Sequence, residues 1–309
     1  MKLRALITGA GGFVGGHLRA YLLAHTDWEL LGTVYPHHVE VERPEPRLQL
    51  KHADLRDREG VRAAQTFVPT SFADPWDTLE NNIRGELNLL EVVRQSGREI
   101  RVLIIGSNEE YGAPKSDELP LTEENPLRPN NPYAISKLTQ DFLGLQYHLS
   151  YELPVVRVRP FNHTGPGQSP RFVVPAFASQ IAHIEAGLQE PVMKVGNLEA
   201  ARDFTDVRDI VRAYHLAATQ GEPGEVYNLA SGQPQSVRGM LETLLSYAQV
   251  EIRVERDPDR YRPIDVPVVY GNSEKFHRLT GWEPQILFDQ TLQDTLEYWR
   301  EQVGTSNHK

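Results

Sequence analysis

The sequence contains no cysteine, which excludes disulfides, thiol nucleophiles and Cys-ligated zinc or iron–sulfur centres. It has no apolar run approaching the ~18 residues of a membrane-spanning helix. Its first residues run directly into a strand-like segment, so no signal peptide is expected. A basic excess is also lacking: 32 Lys and Arg stand against 42 Asp and Glu, a net charge of −10. Nucleic acid and anionic membranes are therefore not expected as partners. His37 and His38 are adjacent, but no further ligand falls at a telling spacing, so no metal site is expected. With 39% hydrophobic and 24% charged residues, the composition is that of a globular protein, and the cytoplasm is its expected compartment.

The chain opens with an apolar run, 3–8, followed by Gly9, Gly12 and Gly15 and then an amphipathic pattern at Val14, Leu18 and Leu22. Strand, glycine turn, helix is the context of a dinucleotide fingerprint. The glycines allow a tight turn, close approach of backbone to a pyrophosphate, and close packing of helix on strand. Phe13 and Val14 fall at the helix start. A second strand is expected over 28–35. The acid that commonly holds a ribose at its end is missing, replaced by Val34, Tyr35, Pro36, His37 and His38. That favours NADP(H) over NAD(H), with His37, His38, Arg43 or Arg47 facing a 2′-phosphate, although a Pro-rich surface loop accounts for them equally. A third strand, 47–53, ends at Asp54 and Leu55, where a carboxylate reaches an adenine.

Another absence is internal. A parallel sheet requires a crossover helix and a fourth strand next, on the order of twenty residues. Only 56–65 is available before a loop at 66–74, and Ala63, Ala64 and Gln65 read as the tail of a strand without its body. A missing segment between about 61 and 65 is the expectation. A long helix over 76–95 follows, with Ile83, Leu87, Leu90 and Val93 on one face. The continuous apolar run Val102, Leu103, Ile104, Ile105 suits a strand buried on both sides. It delivers Ser107 and Glu109 at its C-terminal end, where open α/β sheets bind ligands.

Asn131 and Pro132 then read as the cap and first position of a helix. Tyr133 and Lys137 stand four residues apart, on one helix face. A neighbouring ammonium favours the ionised form of a phenol, so the pair suits general acid/base work. Most Tyr/Lys pairs at this spacing are surface neighbours; Ser107 and the glycine turn favour chemistry. After a strand at 154–159, the loop 160–168 is dense in turn residues and reads as a binding loop. From there the alternation loosens: helix 172–186, strand 191–195, a helix opened by 202–209, strand 225–230, helix 237–248, strand 251–255 and two final helices.

With these residues in place, the chain resembles the extended short-chain dehydrogenase/reductases that modify nucleotide sugars. The motifs are the glycine triplet, Ala63-Ala64-Gln65, Asn82 with Gly85, Ser107, Tyr133-x-x-x-Lys137 and Arg202-Asp203-Phe204-x-Asp206-Val207-x-Asp209. Residues 106–112, 159–168 and 194–200 are most similar to the GDP-4-keto-6-deoxy-mannose reductases. The resemblance implies an α/β fold: a Rossmann-type doubly wound parallel sheet with a smaller C-terminal α/β lobe. Residues 1–160 with about 200–230 would hold the dinucleotide, and about 161–199 with 231–309 the nucleotide sugar. It also implies NAD(P)H-dependent reduction of the 4-keto group of a GDP-linked 6-deoxyhexose. Tyr133 would be the proton donor, Lys137 the partner of the tyrosinate and of the nicotinamide ribose, and Ser107 the group that aligns the carbonyl.

Asn162, Lys194, Arg202 and Arg262 would meet the substrate, the arginines binding diphosphate oxygens bidentately. Ordinary surface ion pairs explain the two arginines equally well without the resemblance. Glu109 keeps a second chemistry open, because a Glu at the matching place abstracts a proton in the related 4,6-dehydratases; the epimerases of the group also remain. A non-enzymatic dinucleotide sensor is the third reading, opposed by the presence of Ser107, Tyr133 and Lys137 together. A homodimer through a bundle of the 76–95 and 132–150 helices is expected. The apolar residues Leu138, Phe142, Leu143, Leu145 and Tyr147 extend beyond one face there.

Overall fold

The computed structural model describes residues 2–34, 45–52, 68–257 and 266–306. Tyr35 to Arg43, Asp54, Leu55, the 61–65 junction and Arg262 lie outside them. Strand β1 (Arg4–Ile7) leads through the glycine turn into helix α1 (Phe13–His25), then β2 (Glu29–Val34) and β3 (Leu48–His52). These strands form a parallel sheet in the order β1-β2-β3. Its core is Ile7, Ala10, Leu22, Leu30 and Val34. Arg47 donates to the carbonyls of Leu23 and Thr26 at 2.6 Å each, tying down the C-terminal end of α1. Its guanidinium is thus engaged at a helix end rather than turned to a 2′-phosphate.

The stretch read as a loop at 66–74 contains helix α2 (Val68–Ala73). The expected 76–95 helix is built from α3 (Pro75–Leu79), a π-helical turn (Glu80–Arg84) and α4 (Gly85–Gln95). A π turn inserts one extra residue per turn and rotates everything after it. The buried face of this helix is accordingly Asn82, Glu86 and Leu90, while Leu87, expected inside, is exposed.

Strand β4 (Val102–Ile105), helix α5 (Pro132–Tyr151), β5 (Val155–Pro160) and helix α7 (Val207–Gln220) before β9 (Val226–Leu229) build a second parallel sheet, ordered β4-β5-β9. Helix α7 packs across to α1 and joins the two halves. Among the described residues no strand pairs with the free edges of β1 or β4. An apolar slot lies between them, lined by Leu6, Leu22, Leu90 and Leu103. Leu6 is 51% exposed there, although a doubly wound sheet buries this position on both faces.

A second lobe is built from β6 (Asn162–Thr164), α6 (Val173–Glu185), β7 (Val192–Val195), β8 (Ala201–Asp206), β10 (Pro234–Ser236), α8 (Val237–Ser246), β11 (Arg253–Arg256), β12 (Val268–Val269) and α10 (Phe288–Ser306), whereas α9 (Glu274–Thr280) packs on β9 and α7, with Phe276 in the core of the parallel sheet. Residues 202–206, read as the opening of a helix, instead form β8; the helix begins at Val207, capped by Asp206, which accepts from the Arg208 amide at 2.8 Å. Strand β8 sits between β10 and β12 and also pairs with β6, while β7 pairs with β11. The lobe's core is formed by Phe177, Ile181, Met193, Leu241, Leu244 and Leu296 among others.

Candidate active site

The glycine turn forms as its spacing requires. Gly9 has φ of 67° and its carbonyl accepts from the Gly12 amide at 2.9 Å. A Cβ at Gly15 would be driven into the Gly9 carbonyl, so only glycine lets α1 approach the strand this closely. Gly12 caps α1 without a side-chain partner, and no acid stands in the first turn. The first amides of a helix lack intrahelical acceptors, so this end is suited to a pyrophosphate. Gly9, Gly12, Phe13, Val14 and Gly15 all line one cleft of about 1920 Å3. That exceeds the ~300–1,000 Å3 of ordinary ligand sites, because the cleft is continuous with the slot between β1 and β4. Gly15→Ala is expected to weaken NADPH binding on the order of tenfold or more, read by nucleotide fluorescence titration. Gly16→Ala is the control, since its Cβ would meet nothing nearer than an Arg19 nitrogen at 3.9 Å.

Across the cleft, β4 delivers Ser107 and α5 delivers Tyr133 and Lys137, all three buried. Asn131 caps α5 by accepting from the Ala134 amide at 2.8 Å, and its own amide donates to Glu109 at 3.0 Å. The Ser107 side chain stands beside the Tyr133 phenol, and its Oγ accepts from the Glu109 amide at 3.2 Å. Burial pushes the Tyr133 phenol well above its ordinary pKa; the Ser107 hydroxyl draws it back, while Glu109 and Glu110 raise it further. The phenol therefore rests protonated, ready to give a proton. The Lys137 ammonium donates to the Ile105 carbonyl at 2.9 Å. Burial lowers its pKa, opposed by the carboxylates of Glu86 and Glu110.

Asn162, Lys194 and Arg202 line the same cleft. Asn162 donates to the Asp203 carbonyl at 3.3 Å, and Arg202 to the Ala201 carbonyl at 2.8 Å. Beneath them Asp203 accepts from the amides of Ser231, Gly232 and Gly271, which fastens β8 to two loops of the lobe. His163 is in the lining as well. Burial lowers its pKa, against the pull of the Phe161 carbonyl, so it stands neutral. His17 of α1 meets the Pro166 carbonyl at 2.8 Å, linking the helix behind the glycine turn to the 160–168 loop.

Several residues at the site escaped sequence reading. Glu86 is 8% exposed, lines the cleft and has an Oε1 with no hydrogen-bond partner. Burial raises its pKa well above the carboxylate range, opposed by Lys137. Under the site lies a buried ion network. Arg159 Nε donates to Asp141 at 2.7 Å and to Glu110 at 3.1 Å, and Arg157 donates to Asp141 at 2.6 Å. The signal was two arginines two residues apart in an apolar strand: period two places Arg157 and Arg159 on one face, turned toward α5.

Burial and the Asp141 carboxylate push Glu110 up to about 8, against the pull of Arg159. A carboxyl raised above its unfolded value of ~4.3 stabilises the fold below that pH, and the stabilisation is lost as pH rises through the folded pKa. Between pH 7 and 9 the wild-type melting temperature is expected to fall, and that of Glu110→Gln to fall less. Equal slopes in thermal melts would contradict this.

A glycine turn on one wall of a cleft, and a buried Ser–Tyr–Lys trio on the other, define a protein of the short-chain dehydrogenase/reductase class. Within it, the chain belongs to the GDP-mannose 4,6 dehydratase family, whose sequence profile matches residues 6–295. It is 41% identical to a GDP-6-deoxy-D-mannose reductase of Pseudomonas aeruginosa over 304 residues, covering 98% of this chain and 99% of that protein. Its fold is similar to the solved structure of RMD from Pseudomonas aeruginosa complexed with NADPH: TM-score 0.86, 37% identity, covering 97% of this chain and 100% of the other. The UDP-glucose 4-epimerase of Thermus thermophilus in complex with NAD is similar at TM-score 0.85 and 28% identity, covering 96% of this chain and 99% of that one.

Proposed function

We propose that the chain is an NADP(H)-preferring nucleotide-sugar 4-ketoreductase, converting GDP-4-keto-6-deoxy-D-mannose to GDP-6-deoxy-D-mannose (GDP-D-rhamnose), with NAD(H) as the lesser cofactor. The observation that carries it is the buried trio of Ser107, Tyr133 and Lys137 in one cleft with the glycine turn. The identity to a GDP-6-deoxy-D-mannose reductase supports the choice of substrate.

Bound cofactor supplies the hydride. Ser107 holds the C4 carbonyl oxygen in line, and Tyr133 gives that oxygen its proton as the new C–H bond forms, yielding the alcohol. Such general acid catalysis is worth ~10²–10⁴-fold. Lys137, 5% exposed, stabilises the tyrosinate left behind and binds the nicotinamide ribose. Asn162, Lys194, Arg202 and Arg262 hold the nucleotide sugar, Asp54 and Leu55 the adenine. Residues 1–160 with about 200–230 act as the cofactor domain and the rest as the substrate lobe. A panel of nucleotide 4-ketosugars assayed with NADPH and NADH tests the reading.

A second reading, dehydration of GDP-mannose, is favoured by Glu109, which lines the cleft with Asn131 holding its carboxylate at 3.0 Å. In that case ketosugar would form from GDP-mannose without net cofactor turnover.

The protein is further proposed to act in the cytoplasm as a homodimer. Ile135, Phe142 and Leu149 recur every seven residues along α5 and all are exposed, a strip that suits a helix bundle. Tyr147, named with Leu138, Phe142, Leu143 and Leu145 from the sequence, instead turns inward and donates to Glu91 at 2.6 Å. Phe142→Glu is expected to yield monomer in light scattering; an unchanged mass would remove the α5 interface. The proposed missing segment near 61–65 has a direct check as well. An intact mass of the natural protein above that of the 309-residue chain would support it, and an equal mass would refute it.

A further inference from the structure

Glu110 is fully buried and is not among the residues that line the cleft; it stands between Ser107 and the ion network on β5 and α5. Its Oε1 accepts from the Ser107 backbone amide at 2.7 Å, and its own amide donates back to the Ser107 carbonyl at 3.2 Å. The pair closes a reciprocal cap around the short turn Asn108–Tyr111. The other oxygen meets Arg159 Nε at 3.1 Å, and Arg159 is held in turn by Asp141 and by the Tyr111 hydroxyl at 3.1 Å. Tyr111 donates onward to Asn228 on β9 at 2.7 Å. Gly106 leaves room for this carboxyl, since a Cβ there would strike Glu110 Oε1. Besides this tie, the turn is held by the Glu109 amide donating to Ser107 Oγ at 3.2 Å and by the Arg128 amide donating to the Glu110 carbonyl at 3.0 Å.

We propose that Glu110 is a positioning residue for the reaction: its carboxyl ties the Ser107 backbone to the Arg159–Asp141 pair, fixing the hydroxyl that aligns the substrate carbonyl. The inference rests on the ketoreductase reading for its kinetic consequence, and on the geometry alone for the tie itself. Loss of the tie lets Ser107 shift relative to Tyr133, and displacements of about 1 Å at such a site cost up to ~10²-fold in rate. Substrate and cofactor contacts elsewhere in the cleft are untouched, so the loss falls on kcat rather than KM.

Three variants separate positioning from charge and from stability. Glu110→Gln keeps an acceptor for the Ser107 amide and a donor toward Asp141. Glu110→Asp keeps a carboxyl but is one methylene too short to reach. Glu110→Leu removes both. With ketosugar and NADPH, the Asp and Leu variants are expected to lose about 10–100-fold in kcat with KM within twofold, and Gln to stay within about threefold of wild type. Hydrogen exchange of the Ser107 amide is expected to quicken in Asp and to remain slow in Gln. If the Leu variant does not fold, the Asp–Gln contrast decides. Gln as impaired as Asp, or unaltered Ser107 exchange in Asp, would overturn the role of Glu110. A wild-type enzyme without ketosugar turnover would overturn the proposed reaction instead, and the exchange measurement would still judge the tie.

Discussion

Replacing Tyr133 with Phe is expected to lower kcat by ~10²–10⁴-fold while leaving NADPH affinity and the fold nearly unchanged. Tyr133 is 8% exposed, and its ring fills space that Phe refills, so only the hydroxyl is removed. Ser107 beside it lies in the same cleft and can turn to substrate or water. Burial keeps the phenol protonated throughout the neutral range, with Glu109 and Glu110 adding to that effect. The proton is therefore available whenever hydride arrives. Steady-state kinetics together with a fluorescence titration check both halves of the statement. Unchanged turnover would remove Tyr133 from the chemistry.

The largest stability effect is expected from Arg159→Met. Arg159 and Asp141 have side chains 4% and 1% exposed, joined at 2.6 Å, and Arg159 also meets Glu110 at 3.1 Å. Burial works against the Arg159 charge, yet Asp141, Tyr111 and Glu110 more than restore it. For Asp141 burial favours the neutral form, and Arg159 with Arg157 reverses that preference. Removing one member strands a buried carboxylate, which costs about 3–5 kcal/mol where a paired charge has lost its partner. Arg157 moderates the loss by keeping its 2.6 Å bond to Asp141. Denaturant unfolding measures it. A loss under about 1 kcal/mol would mean that the network contributes little to stability.

Local rules carried much of this architecture. Strand, glycine turn and α1 were legible because the glycine spacing and the helical apolar period are both short-range signals. The Asn131–Pro132 start of α5 was legible for the same reason, and with it the shared face of Tyr133 and Lys137. Longer-range effects were not. The π turn at Glu80–Arg84 rotates α4 so that Glu86, not Leu87, faces inward, and no periodicity count anticipates an inserted residue. Residues 202–206 are rich in charge, yet they form β8 because β6, β10 and β12 flank it in space. The Glu110–Arg159–Asp141 network joins residues far apart in sequence. The shortage of residues for a fourth strand was legible before α2, and among the described residues no strand pairs with the free edges of β1 or β4, between which an apolar slot lies.

The measurement closest to the central claim is product analysis with GDP-4-keto-6-deoxy-D-mannose and NADPH, run beside GDP-mannose alone. One NADPH oxidised per GDP-6-deoxy-D-mannose formed, with GDP-mannose left intact, is the expected result. Ketosugar appearing from GDP-mannose with no net oxidation of NADPH would contradict it.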